Sequence, residues 1–275
     1  MAATPVRVLQ IFYSEETRRQ IDPGFEPLDN AANPRPDWRE YWPIRNFLLS
    51  EPLEEDSYYG FFSPKFAAKT RLAAREVFEF AAQQGGPDVI SFSPYYDQIA
   101  VFLNMFEQGE AHHAGLVAAA QQFLDGIGFE VRVADLPQHS GDSIYCNYFL
   151  AKPGFWREWL RVNEALFALC EANATPLAAA LNAMAQHDGS ASCPLKVFVM
   201  ERVASLLLSC RGYTSVAFQP MSLPRTTSLA ARLGDELVAM DAFKMAFAHT
   251  GRTEFLSAFQ STRQDAIRRL TQGQA

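Results

Sequence analysis

Short apolar runs alternate with stretches of helical periodicity along this chain, and that alternation limits its folds more than any other feature. Val6–Ser14, Pro87–Pro94, Ser143–Pro153 and Thr214–Pro220 are short, apolar and rich in β-branched or aromatic residues. Each reads as a strand, the first two buried and the third ending in a turn. Between them lie helical segments. Arg39–Leu49 carries Pro43 near its first turn, and Lys69–Gln84 is amphipathic and stopped by Gly85-Gly86. Tyr95–Glu110, His113–Gly128, Pro153–Asn173, Pro176–Ala185 and Lys196–Cys210 follow, and Ser228–Leu270 is helical with scattered charge. Strands that alternate with helices predict an α/β sheet covered on both faces. Ligands of such sheets bind at the carboxyl ends of the strands. The residues after Phe12, after Phe92 and around Tyr148 then share one rim. Ile21–Trp38, rich in Pro, Asn and Asp, reads as one long loop.

Composition narrows the function classes. Hydrophobic residues are 48% of the 275, enough for a sizeable core, and the net charge of -7 argues against a general nucleic-acid binder. Cys146, Cys170, Cys193 and Cys210 show no CxxC spacing and no neighbouring histidine, so they are expected reduced and mostly buried, in a cytoplasmic protein. The amino-terminal apolar run is too short for a signal peptide. No stretch reaches the roughly 18 apolar residues of a membrane span, so any membrane contact is expected to be peripheral. His112 and His113 are adjacent, which points them about 100° apart on a helix and away from a shared metal.

Four segments could carry chemistry. DSYYGFFSPKF, Asp56–Phe66, packs five aromatics beside Gly60, Ser63, Pro64 and Lys65. As a site, it offers aromatic walls at Tyr58, Tyr59, Phe61 and Phe62, with Lys65 and Lys69 for a phosphate. Thr70 and the next helix start would add free N–H groups. As structure, it is a buried strand whose lysines reach solvent. SFSPYYDQ, Ser91–Gln98, ends in Asp97, a candidate for a metal or sugar hydroxyls; it also reads as a helix start with Ser93 as cap and Pro94 in first position. MERVAS places Glu201 and Arg202 in a largely apolar helix. They are either a site carboxylate of raised pKa with its partner or a solvent-side ion pair. GDSIYCNYF sets Asp142 and Asn147 among aromatics, as acceptor ligands or as a turn and a satisfied amide.

GxGxxG, GxxxxGK[ST], GxSxG, HExxH and Asp-x-Asp are all absent. The order VLQIFYS, SPKFAAKT, PDVISFSPYYDQ, CNYFLAKPGFWREWL, VFVMERVASLLL nevertheless resembles bacterial glycosyltransferases of the GT-A type that build surface polysaccharides. The resemblance spans Val6 to Pro220 and is one of pattern and order. It implies a GT-A-like, Rossmann-like mixed sheet flanked by helices over 1–225, with a helical C-terminal extension over 226–275 packed on it. It implies transfer of a sugar from a nucleotide-diphosphate donor to a saccharide or lipid-linked acceptor. Tyr13, Ser63, Lys65, Lys69 and Asp97 would bind the donor, and Asn147, Tyr148 and Arg202 the acceptor. Glu201, with Asp142 as second choice, would take the acceptor proton. Without Asp-x-Asp, two routes stay open: Asp97 alone assisting Mn2+ or Mg2+, or Lys65, Lys69 and a helix N-terminus balancing the diphosphate. A protein that keeps the fold and only binds saccharides or nucleotide sugars is the alternative. The apolar stripes of the C-terminal helices leave core, a homodimer face and contact with the inner face of the membrane open.

Overall fold

A computed structural model describes residues 4–187, 190–226 and 232–271. The chain runs β1 (Val6–Phe12), α1 (Glu15–Arg18), β2 (Glu26–Asp29), α2 (Tyr41–Ser50), β3 (Tyr58–Phe62), α3 (Phe66–Thr70), α4 (Ala74–Ala82) and β4 (Val89–Ser91). It continues with α5 (Tyr96–Val101), α6 (Met105–His112), α7 (Leu116–Gly126), β5 (Phe149–Ala151), α8 (Pro153–Ala172) and α9 (Pro176–Asn182). A hairpin of β6 (Met184–His187) and β7 (Ser190–Pro194) precedes α10 (Leu195–Met200), α11 (Val203–Cys210) and β8 (Ser215–Ala217). Two long helices, Gly234–Thr250 and Thr253–Thr271, follow.

The architecture is mixed α/β, a six-stranded sheet with flanking helices of the general Rossmann-like kind. Its order is β2-β1-β3-β5-β4-β8, and β5 alone runs against the others. β2 and β3 flank β1 on opposite sides, both parallel to it. The chain therefore leaves β1 toward one edge of the sheet and leaves β3 toward the other. This divergence opens a crevice at the carboxyl ends of β1 and β3.

Both faces of the sheet are covered, so its central strand is apolar at every position. Alternation in β3 sends Tyr59 and Phe61 into the core against α8, and Tyr58 and Phe62 into the core against α4. These four rings are thus core side chains and do not wall a ligand. Gly60 lies between them because β5 crosses closely. A Cβ there would sit 2.5 Å from Leu150 Cδ2 and 3.2 Å from the Phe149 carbonyl. Gly60→Ala is expected to cost about 1–3 kcal/mol through overpacking, read as a lower urea midpoint with an unchanged slope.

Several expected elements are divided or displaced. β2 occupies part of the long loop, where Glu26 forms a bidentate pair with Arg7. The helix expected over Lys69–Gln84 breaks because Arg71 adopts φ 62° and Thr70 Oγ1 accepts from Leu72 N. Asn104 caps α6 and ends the run from Tyr95. Ser93 does not cap α5: Tyr95 at φ 70° delays the helix, and Ser93 Oγ instead accepts from Tyr145 N. Of the strand expected over Ser143–Pro153 only β5 is extended, because Cys146 and Asn147 before it both take positive φ. The hairpin of β6 and β7 is not among the elements expected from the sequence, and Ser228–Leu270 lies partly outside the described residues.

The two C-terminal helices form an antiparallel hairpin turned by Gly251 at φ 69°. They bury Leu237, Met240 and Phe259 against Tyr96 and Ala100 of α5. Asp241 accepts from Ser140 N and Oγ at 2.8 and 2.6 Å. Lys244, fully buried, donates to the carbonyls of Ile99 and Phe102. Burial lowers its ammonium to about 8, against a partial offset from Asp241. Between that value and the unfolded value near 10.4 the unfolded chain holds more protons, so this group adds stability as pH rises. The stability of wild type minus that of Lys244→Met is expected to grow from pH 7 to pH 10, by up to about 3 kcal/mol, in paired urea titrations.

Candidate active site

A cavity of about 440 Å³ fills the crevice at the carboxyl ends of β1 and β3. β1 delivers Ile11 and, one residue past its end, Tyr13, and β3 runs directly into Ser63, Pro64 and Lys65. Lys69 comes from α3; Asn30, Asn33, Arg39 and Glu40 come from the loop after β2; Cys193, Val197, Phe198 and Glu201 close the far side. The loop is anchored at both ends. Asn30 N donates to the Phe12 carbonyl at 2.8 Å, and Asp37 accepts from Lys196 Nζ of α10 at 2.7 Å. Arg39 sits at φ 49°, ψ -133°, a strained conformation for a side chain other than glycine.

Three cations face this cavity, and none has a carboxylate as hydrogen-bond partner among the described residues. Lys69 Nζ donates to Cys146 Sγ at 3.0 Å. Burial pushes the Cys146 thiol up to about 11, so at neutral pH it is uncharged and leaves the ammonium uncompensated. Burial opposes the charge on Lys69, yet Cys146, Tyr95 and Glu201, once ionised, outweigh it and hold the ammonium above the ordinary lysine value. The Arg39 guanidinium faces the sulfur of Cys193, which holds it above its ordinary value. Burial raises the Cys193 thiol too. Lys65 is exposed, and its ammonium makes no ion pair among the described residues. Thiols are weak acceptors. An incoming oxyanion can displace both and gain charge-assisted hydrogen bonds.

Glu201 supplies the complementary group. It is half-buried at the junction of α10 and α11. Burial pushes its carboxyl up, Arg202 opposes this, Glu40 reinforces it, and Lys69 and Arg39 oppose it. A carboxylate whose pKa is raised by burial can accept a proton while neighbouring cations without carboxylate hydrogen-bond partners hold an anion.

Tyr13, Ser63, Lys65, Lys69 and Glu201, scattered over the sequence, therefore line one cavity. Tyr13 is 44% exposed at its mouth. Ser63 Oγ is bonded to Tyr148 Oη at 2.6 Å, which places Tyr148 beneath the floor, fully buried in the core. The other candidates lie elsewhere. Asp97 accepts from Thr226 N and Oγ1 with both its oxygens and borders a small apolar cavity against the C-terminal helices. Asp142 is buried, accepts from His139 N at 2.7 Å and Ser209 Oγ at 3.0 Å, and burial raises its carboxyl. Asn147 is buried, its Oδ1 without a partner among the described residues and its amide nitrogen 3.9 Å from Met200 Sδ. Arg202 is buried and directs its donors into the protein. The start of α4 is no phosphate site either, because Asp22 and Glu76 carboxylates already take its first N–H groups.

Arg39, Glu40, Asn30, Asn33 and Cys193 were not singled out from sequence. The one available signal was the long polar loop, whose length suggested function without naming a residue. A metal fits these residues poorly: both Asp97 oxygens are engaged, and no group of three His, Cys, Asp or Glu side chains with metal-binding geometry occurs among the described residues. His113 instead stacks on Phe198, ring centroids 3.6 Å apart. Among the described residues, no helix is long and apolar enough to cross a membrane.

The fold and cavity define a mixed α/β protein with a crevice lined by Arg39, Lys65, Lys69, Glu40 and Glu201 at its topological switch point. Comparison with known protein families, curated proteins and solved structures finds no match to this chain.

Proposed function

We propose that the protein is a glycosyltransferase, GT-A-like in its fold, acting in the cytoplasm on a nucleotide-diphosphate sugar and a saccharide or lipid-linked acceptor. The observation that carries the reading is the meeting of Lys65, Lys69 and Arg39 with Glu201 in one cavity at the carboxyl ends of β1 and β3. In transfer, the bond between the anomeric carbon and the diphosphate breaks and a bond to the acceptor oxygen forms. Negative charge grows on the leaving diphosphate, where the three cations stabilise it. Glu201 takes the proton of the acceptor hydroxyl. Tyr13 offers an exposed ring at the mouth for a base or sugar face.

Thermal stabilisation by nucleoside diphosphates and nucleotide sugars, with and without manganese, tests the reading. The expected result is a saturable rise in Tm with one nucleotide family that the Lys65→Met/Lys69→Met double variant loses. No shift with any nucleotide, or an equal shift in the double variant, overturns it. Binding without transfer or donor hydrolysis would make this a nucleotide-sugar-binding protein instead.

A further inference from the structure

Arg202 is 4% exposed, and no carboxylate pairs with it among the described residues. Its donors go to neutral acceptors: Nε to the Met105 carbonyl at 2.6 Å, Nη1 to the Phe198 carbonyl at 2.6 Å, and Nη2 to Gln108 Oε1 at 2.9 Å. Phe198 is four residues upstream, so its carbonyl is the acceptor that the backbone N–H of Arg202 would use in a continuous helix. That N–H bonds Val199 O at 3.1 Å instead. A side chain has entered the ladder, and the helix divides here into α10 and α11. Gly109 of α6 makes the room: a Cβ there would lie 2.4 Å from Nη2.

Glu201 stands at this junction and lines the cavity. A buried guanidinium on neutral acceptors is a costly way to divide a helix, and an apolar side chain would pack there at less expense. We propose that Arg202 is the positioning residue of Glu201, bending the helix so that this carboxylate enters the cavity and keeping a fixed positive charge behind it. The inference rests on the role given to Glu201 above, but its test needs neither donor nor acceptor. The charged and titratable groups that Glu201 meets are Arg202 behind it and Glu40, Lys69, Arg39, Cys146 and Cys193 around the cavity. Of these, Arg202 opposes the effect of burial most strongly.

The experiment is a pH titration of the Glu201 carboxyl by carbon NMR in the full chain labelled at glutamate Cδ, with the resonance assigned by Glu201→Gln. Arg202→Gln is expected to move the midpoint upward by about one pH unit. Arg202→Lys is expected to recover part of that shift, because charge returns without the fork of donors. Should Arg202→Gln not fold, Gly109→Ala serves: it keeps the charge, pushes the guanidinium aside and is expected to raise the midpoint by a smaller amount. A midpoint equal to wild type in every variant whose circular dichroism shows a folded chain overturns the proposal. Because no substrate is present, a failure of glycosyl transfer leaves this result standing, and the reverse holds as well.

Discussion

Glu201→Gln is expected to lower the rate of sugar transfer by about 10²–10⁴-fold while donor affinity is kept or raised. Glutamine fills the same space but cannot take a proton. It also removes a negative charge from beside Lys69 and Arg39, so the diphosphate meets a more positive cavity. In wild type the rate should climb with pH through the raised pKa of Glu201 as the basic form appears, and the variant should lack that limb. The same shift has a stability consequence. A carboxyl with a higher pKa in the folded chain holds more protons there than in the unfolded chain. Its contribution is therefore lost as pH rises from the ordinary glutamate range through the raised value. At neutral pH the glutamine variant is expected to be at least as stable as wild type. Steady-state transfer and denaturation on the same samples check both, and undiminished turnover removes Glu201 from the chemistry.

Trp156→Ala should produce the largest loss of stability, about 3–5 kcal/mol. Trp156 is fully buried where α8 meets the sheet. Its ring stacks on Phe149 of β5 with centroids 4.6 Å apart, and packs edgewise on Phe61 of β3 at 4.9 Å and on Trp159 at 5.3 Å. Its Nε1 donates to the Tyr59 carbonyl at 2.9 Å. One side chain thus ties the long helix to two antiparallel neighbours in the sheet. Trp156→Phe keeps much of the ring contact and loses the hydrogen bond, so it should cost less, about 1–2 kcal/mol. Urea unfolding followed by far-ultraviolet circular dichroism gives both numbers. Equal losses in the two variants would mean that the hydrogen bond, and not the packing, dominates.

Some of the site was legible in the chain itself. Lys65 and Lys69 stood out because charge is unusual beside so many aromatics, and Glu201 because charge is unusual in so apolar a helix. Arg39 carried no such signal, since it lies in a loop already rich in charge. The aromatics of DSYYGFFSPKF leave two readings open. Its run Tyr58–Phe62, apolar at every position, fits a pocket wall as well as a strand buried on both faces, and only the pairing of β3 with β1 and β5 decides for the strand. Asp97 and Asp142 misled for a related reason. Composition shows that a carboxylate is present, but whether its oxygens are free depends on partners such as Thr226 and Ser209, 129 and 67 residues away.

By itself the sequence determined the alternation of strands and helices, the two-sided burial of the sheet and the identity of the charged residues set against apolar surroundings. Those features are local, written in periodicity and in neighbours along the chain. Tertiary structure alone decided the strand order, the reversed β5, and the crevice into which Arg39, Lys65, Lys69 and Glu201 converge. Each of these depends on contacts between residues far apart in the chain. The bend at Glu201 belongs with them. It exists because Met105, Gln108 and Gly109 of α6 receive a guanidinium from a helix more than 90 residues away, and no reading of the segment around Arg202 contains them.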